Sequence, residues 1–540
     1  MAFMCAVCEV HAGNTEDLNQ HANIILMFLK VKPLRLEAKK PIVILNRDDA
    51  EELDVKPMDR VEMRSGKKKE VAIVNIAEKF VPRGYVGLYS RVQKEMGAKA
   101  GERLRVTATE PPESLASIKR RLDGDRLESD EIHKIVKDVV EERLSDIEIT
   151  AYVLSLYTHQ MTNKEIAAMS SSMCVTGDML NIKGKRIFDK HSIGGVPGDK
   201  TSMLLVPTVA AAGLTIPKTS SRAITAPAGT ADRMECLCPV DLGLDEIKAV
   251  VDQIGCCLVW GGAVDLAPAD DAFIRVEYPL SIDPLLLPSV MSKKKAVGAN
   301  YVVIDIPTGR GVKVKTVSDA EDLANKFIEL GKHLKIKVSC VSTFGEQPIG
   351  RGIGPALEAR EVLKSVMHPK SAPQDLVEKV GKLSGELFEF AGKRNAAALG
   401  VEILKSGKTE KKLREIISAQ GGDPEIKPGD IEVGPKRAII KSTKPGKVWW
   451  IDNKRVTETA RIAGAPKDRG AGLLFHKKLG DTVKRGDVLF EIYAEKPAKL
   501  RHAVKAAEHN CIMGVAKKFS MVMAEIPEEK EQENYFILER

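Results

Sequence analysis

From Lys30 to about Thr109 the apolar positions alternate with polar ones or gather in short β-branched runs, as in LKVKPLRLEA and PIVIL. RVEMRSGKKKEVAIVNI reads as a hairpin turning at Ser65-Gly66, and Gly and Pro punctuate the rest. The pattern predicts a small β-rich domain over 27–110, closed by the double proline at 111–112. It then changes period. In EIHKIVKDVVEERL, Ile132, Ile135, Val136, Val139 and Val140 share one helical face, and MTNKEIAAMSSSM follows with Thr162 or Asn163 as N-cap. From about residue 186 apolar runs and helices alternate with glycine-rich loops. MLLVPTVAAAGL is a helix, NYVVIDIPTG a buried strand, and residues 336–363 a strand, a loop and a helix. That alternation predicts an α/β domain with a mainly parallel sheet, whose loops lie at the carboxyl ends of the strands. From about Ser442 strands return, with Gly-Asp turns in LGDTVKRGDVLFEIYAEKP like those of a lipoyl-like domain. The methionine-flanked lysine of a carrier is absent there, so this α+β domain reads as structural.

Composition narrows the picture. With 43% hydrophobic and 29% charged residues of both signs, the chain predicts ordered, soluble domains. A net charge of +8 over 540 residues, with aromatics at 4%, leaves no nucleic-acid footprint and suits a small anionic substrate. The lysine run GKKKE (66–70) reads as a solvated turn. No apolar run is long enough to span a membrane. Residues 1–26 lack the features of a signal peptide and read as a mobile extension. Nine scattered cysteines predict reduced thiols. The single CxxC of Cys5 and Cys8 has no second pair, so no metal site is expected.

Three stretches carry chemistry. KHSIGGVPGDKTS supplies glycines that let backbone N–H groups converge, with Lys190, Lys200 and hydroxyls, which is what a phosphate needs. It is not the nucleotide-triphosphate loop, because Asp199 separates Gly198 from Lys200. KTSSRAITAPAGTADRME (218–235) sets hydroxyls and an arginine among small residues, with Asp232 as a helix-capping candidate. In LSIDPLLLPSVMSKKKAVGAN, Asp283 stands among apolar residues; desolvation there would raise its pKa towards that of a working general acid. Ser289, Ser292 and Lys293 follow at helical spacing.

These stretches, followed by EQPIGRGIGPALE, occur in the order seen in the thymidine/pyrimidine-nucleoside phosphorylase family, and from about Met27 the chain resembles that family nearly throughout. The proline in GGVPGD, the SRAIT loop and the β-rich N-terminal domain resemble its archaeal, nucleotide-cleaving branch. The resemblance implies a multidomain α/β fold. A helical lobe (111–185 and 264–299) and an α/β phosphate-binding lobe (186–263 and 300–440) would lie between the N-terminal domain and a C-terminal domain over 441–540. It implies a pentosyltransferase that cleaves AMP with inorganic phosphate to adenine and ribose 1,5-bisphosphate. Phosphate would be a co-substrate, and no cofactor is expected. Closure of the two lobes would expel water. A cytoplasmic homodimer or larger homo-oligomer is expected, with no nucleic-acid or membrane partner.

By the same resemblance Lys190, Ser192, Ser202, Ser220 and Thr230 contact phosphate. Gly195, Ser221, Arg222, Ala223, Ile224, Thr225, Ala226, Thr230, Ser289 and Lys313 contact the nucleotide. His191 and Lys293 line the ribose and phosphate, and Asp283 donates a proton to the departing base. Ala226 stands where the loop usually ends in serine, and the stretch from Asp283 to Ser289 is about two residues short, so Ser289 and Lys313 depend on a local gap. Glu277 and Tyr278 occupy the place of the arginine that grips a pyrimidine, which argues against thymidine. The branch also takes CMP and UMP, so the base stays open. The alternatives are a pyrimidine-nucleoside phosphorylase and an inactive AMP-binding protein.

Overall fold

A computed structural model describes residues 25–517 except 39, 183 and 225. The proposed extension at 1–26 therefore lies almost wholly outside the described residues. The chain forms two compact units, Met1–Met161 with Asp271–Pro284, and Thr162–Asp270 with Leu285–Arg540. They divide the helical segments that the sequence suggested as one lobe. The helices Asn163–Val175 and Leu286–Ala296 belong to the second unit.

In the first unit the alternating stretches close into a six-stranded barrel. Its strands are β1 (Leu26–Pro33), β2 (Ile42–Asn46), β3 (Arg60–Ser65), β4 (Lys68–Ala77), β5 (Tyr85–Leu88) and β6 (Arg103–Thr109), in the order β1-β5-β2-β4-β3-β6. The period of two sends Leu29, Val31, Val43, Leu45, Val61 and Val106 into its core. Closure leaves no sheet edge exposed. β3 and β4 form the hairpin, turning at Gly66 (φ +57°). The helix Ser129–Val140 buries Ile132, Ile135, Val136 and Val139, as its pattern predicts. Ser145 and Glu148 form a capping box on the helix Asp146–Thr158. Arg60 of β3 reaches that helix start, donating to the Arg143 carbonyl and to Glu148 at 2.7 Å.

The second unit opens with Thr162 as N-cap, in a capping box with Glu165. Its central strands are β7 (Phe188–Ser192), β8 (Ile216–Ser220), β9 (Cys256–Trp260), β10 (Tyr301–Thr308) and β11 (Lys337–Phe344). β11-β10-β7 and β8-β9 are parallel throughout, and a parallel bridge from Ile187 to Thr215 joins β7 to β8 at their starts. The helix Thr201–Ala211 after β7 is buried on every side up to Ala210, which explains its lack of charged letters.

β12 (Gly352–Ile353) leaves this region to pair with the C-terminal strands. These are β13 (Lys436–Lys441), β14 (Gly446–Ile451), β15 (Gly472–Phe475), β16 (Thr482–Val483), β17 (Val488–Ala494) and β18 (Met513–Ala516). They form two sheets, β12-β15-β17-β13 and β16-β14-β18, packed with the helices Asn453–Ala463 and Pro497–His509. The strands thus resume at Lys436, earlier than the sequence suggested, because KRAIIK alternates weakly and follows an irregular segment. Among the described residues no helix is long and apolar enough to cross a membrane, and the cysteines are free thiols.

Candidate active site at the carboxyl ends of the parallel strands

β7 and β8 end in Ser192 and Ser220, the loops after them are the two glycine- and hydroxyl-rich stretches, and the next helices begin at Thr201 and Thr230. Lys190, Ser192, Ser202, Ser220 and Thr230 therefore gather at the strand ends and helix starts where anions bind in such sheets. Gly194, Gly195 and Gly198 all have φ between +78° and +93°. A Cβ on Gly198 would meet the Ile349 carbonyl at 2.6 Å, so only glycine fits there. A Cβ on Gly195 would lie 3.2 Å from the Lys313 N–H, which places the exposed Lys313 beside the loop.

The floor of the loop is a buried ionic network. Asp305 of β10 is fully buried and accepts from Ser192 Oγ (2.7 Å) and Thr343 Oγ1 (2.6 Å). Lys379 Nζ, on the helix Gln374–Phe390, lies 2.8 Å from Asp305 and 3.8 Å from Asp199, while Lys190 Nζ lies 3.7 Å from Asp305. Burial alone would raise the Asp199 carboxyl, but Lys379 and Lys190 hold it well below the usual range. Burial lowers Lys379, and Asp199 and Asp305 more than reverse that. The acid that argued against a triphosphate is thus neutralised from below.

A second cluster surrounds the fully buried Asp189 of β7. Lys294 Nζ lies 2.7 Å from it and Lys218 Nζ 3.8 Å. Burial and the nearby charge of Lys294 pull Lys218 down to about 7. His191 is half-buried; desolvation, then the charges of Lys294, Lys218, Lys190 and Lys293, lower it well below the ordinary imidazole value, so it is neutral near pH 7.

Other members of the predicted set have different surroundings. Lys200 points away from Lys190 and Ser192, towards the 345–354 segment. It is buried, donating to the Ile349 carbonyl (2.8 Å) and to Glu361 (2.7 Å), and so ties the loop to the 345–354 segment. Asp232 accepts from the Ala223 and Gly229 N–H groups (2.8 and 2.7 Å) and shapes the SRAIT loop as a cap. The Arg222 guanidinium is held by Glu235 (2.7 and 2.9 Å) and Asp241 (3.1 Å) over the Trp260 ring. Ser220 donates to the Val259 carbonyl (2.9 Å). Ser221 and Ile224 are exposed, Ala223 and Ala226 half-buried, and Thr225 lies outside the described residues. Arg461 donates to the Ile224 carbonyl (2.8 Å) beside a cavity of about 430 Å³ that Arg222 and Arg469 also line. On the helix Leu286–Ala296, Ser289 is half-buried and Lys293 pairs with Asp270 at 2.5 Å.

Asp283, in the first unit, corrects the sequence reading of its surroundings. It is exposed, because the leucines that follow turn inwards: Leu285 is fully buried, and Leu286 and Leu287 pack on a core of the second unit. Asp189, Lys218, Lys294, Asp305, Thr343 and Lys379 were missed as members of the site. Only Asp305 left a usable signal, since an acid inside the apolar run YVVIDIP must be paired when its strand is buried.

Comparison with known proteins places the helices on both sides of Met161 in one domain. Residues 116–177 match the glycosyl transferase family helical bundle domain, 184–410 its a/b domain, and 448–513 the pyrimidine nucleoside phosphorylase C-terminal domain. The chain is 48% identical over 482 residues to an AMP phosphorylase of Thermofilum pendens, covering 89% of this chain and 94% of that one. It is 48% identical to AMP phosphorylase 1 of Archaeoglobus fulgidus and to an AMP phosphorylase of Thermococcus kodakarensis, covering 89% of this chain and 96% of each of those. Near-half identity across almost the full length of such relatives, carried on a parallel sheet with glycine- and hydroxyl-rich loops at its strand ends, means that this chain belongs to the AMP phosphorylase family.

Proposed function

We infer that the protein cleaves AMP by phosphorolysis, yielding adenine and ribose 1,5-bisphosphate, with inorganic phosphate as co-substrate and no resident cofactor. The observation that carries the reading is the cradle of Lys190, Ser192 and the Gly194–Gly198 turn above a buried Asp–Lys network, in a chain of this family. Lys190, Ser192, Ser202, Ser220 and Thr230 are assigned to the attacking phosphate. Gly195, residues 221–226, Thr230, Ser289 and Lys313 are assigned to the nucleotide, with His191 and Lys293 lining the ribose and phosphate. As the glycosidic bond breaks, positive charge builds at C1′ and the phosphate anion stabilises it. Neutral His191 adds a hydrogen-bond donor without adding charge. Asp283 is assigned the proton delivered to the leaving base. The enzyme is taken to act in the cytoplasm as a homo-oligomer.

The test is release of the free base from AMP with and without inorganic phosphate, beside adenosine, thymidine and uridine. Phosphate-dependent release from AMP alone is expected. Release from thymidine or uridine instead would place the chain among nucleoside phosphorylases. AMP binding without release would make it a sensor.

A further inference from the structure

A serine hydroxyl carries one proton and two lone pairs. Ser192 Oγ directs that proton to Asp305 Oδ2 at 2.7 Å. Asp305 is fully buried, and Lys379 at 2.8 Å and Thr343 at 2.6 Å hold it in place. Rotating the hydroxyl towards a ligand would leave two acceptor oxygens facing each other at that separation, and the fully buried Asp305 carboxylate would lose a donor it cannot readily replace. The Gly194 N–H approaches one Ser192 lone pair at 3.4 Å. What Ser192 offers the cradle is therefore a remaining lone pair, which must accept.

We propose that Ser192, oriented by Asp305, accepts a hydrogen bond from the P–OH group of the bound phosphate, so that the cradle selects a protonated tetrahedral oxyanion. Asp305 is then a positioning residue and specificity determinant acting through Ser192. The inference rests on the assignment of this cradle to inorganic phosphate. Monohydrogen phosphate and arsenate keep one proton at neutral pH and satisfy Ser192. Sulfate has the same shape and charge as monohydrogen phosphate but carries no proton, so its oxygen would face the Ser192 lone pair. Lys190 and the loop N–H groups are blind to this difference, because they only donate.

The experiment uses the full-length wild-type protein at pH 7.5. AMP cleavage is measured with phosphate or arsenate as co-substrate, and sulfate is titrated as a competitor. Phosphate and arsenate should both support adenine release, and the sulfate inhibition constant should exceed the phosphate KM by roughly tenfold or more. Ser192→Ala and Asp305→Asn should bring sulfate and phosphate affinities, compared by titration calorimetry, to within about threefold. Wild-type turnover with sulfate competing as well as phosphate would overturn the proposal and leave the phosphorylase reading standing. Full selectivity retained in Ser192→Ala would overturn it as well. Failure of phosphate to promote AMP cleavage at all would instead remove the functional reading beneath it. The wild-type comparison decides even where a variant fails to fold.

Discussion

Asp189 shows how two lysines near one carboxylate differ in consequence. Lys294 pairs with it at 2.7 Å, while Lys218 stands off at 3.8 Å and is lowered to about 7 by burial and by Lys294. Lys294→Met should destabilise the protein by about 3–5 kcal/mol, because it leaves a buried carboxylate without its close partner. Lys218→Met should instead be stabilising at pH 7, because it removes a buried amine whose proton folding expels; calorimetric unfolding compares them. Between about 7 and the unfolded lysine value of about 10.4, the unfolded chain binds the extra proton, so Lys218 makes stability rise with pH across that window and fall as pH drops to 7. A phosphate dianion bound beside Lys190 and Ser192 is expected to draw Lys218 back up and restore its proton. Phosphate binding at pH 8 should therefore take up protons, seen as a buffer-dependent binding enthalpy, and Lys218→Met should abolish the uptake. Asp283→Asn should lower kcat by roughly a hundredfold or more while AMP still binds; near-normal turnover would remove its assigned role. These partnerships were only partly legible. Hydroxyls and glycines advertise a phosphate loop through local spacing, but Lys379 and Lys294 sit on helices far along the chain, where no local motif marks them.

At the level of elements, the loop Ile193–Lys200 is shaped by what lies beneath it. Gly198 packs on the Ile349 carbonyl, and Lys200 donates to the same carbonyl. Gly198→Ala would combine a positive φ of +78° with a Cβ contact of 2.6 Å, at a cost of about 1–3 kcal/mol. It should raise the KM for phosphate roughly ten- to hundredfold by displacing the cradle, measured in the adenine-release assay. The strand and helix types around this loop were readable because each keeps its period. Where Asp283 was concerned, the pattern misled. Apolar letters on both sides imply a desolvated carboxyl only if their side chains surround it, and here Leu285 points into a core. Periodicity gives the face of a helix or strand; it says little about an irregular segment between two helices.

For the molecule as a whole, the N-terminal barrel makes the clearest demand on chain length. Its first strand, β1, begins at Leu26, one residue before the domain start suggested by the sequence. Removing residues 1–24 should leave the melting temperature within about 2 °C of the full chain, whereas removal through Pro33 should open the barrel and yield aggregated protein. Size-exclusion chromatography and thermal melts distinguish the two. Closure also sets an order of events at the ribosome. β1 pairs with β5 and β6, whose last residues are Leu88 and Thr109, and never with the strand made next after it. At about 5–20 residues per second, β1 emerges several seconds before either partner exists. Leu29 and Val31 must spend that interval without their barrel partners, so the barrel's first strand is among its last to be sheltered. Any factor that guards this nascent barrel has most to do until Thr109 has been made.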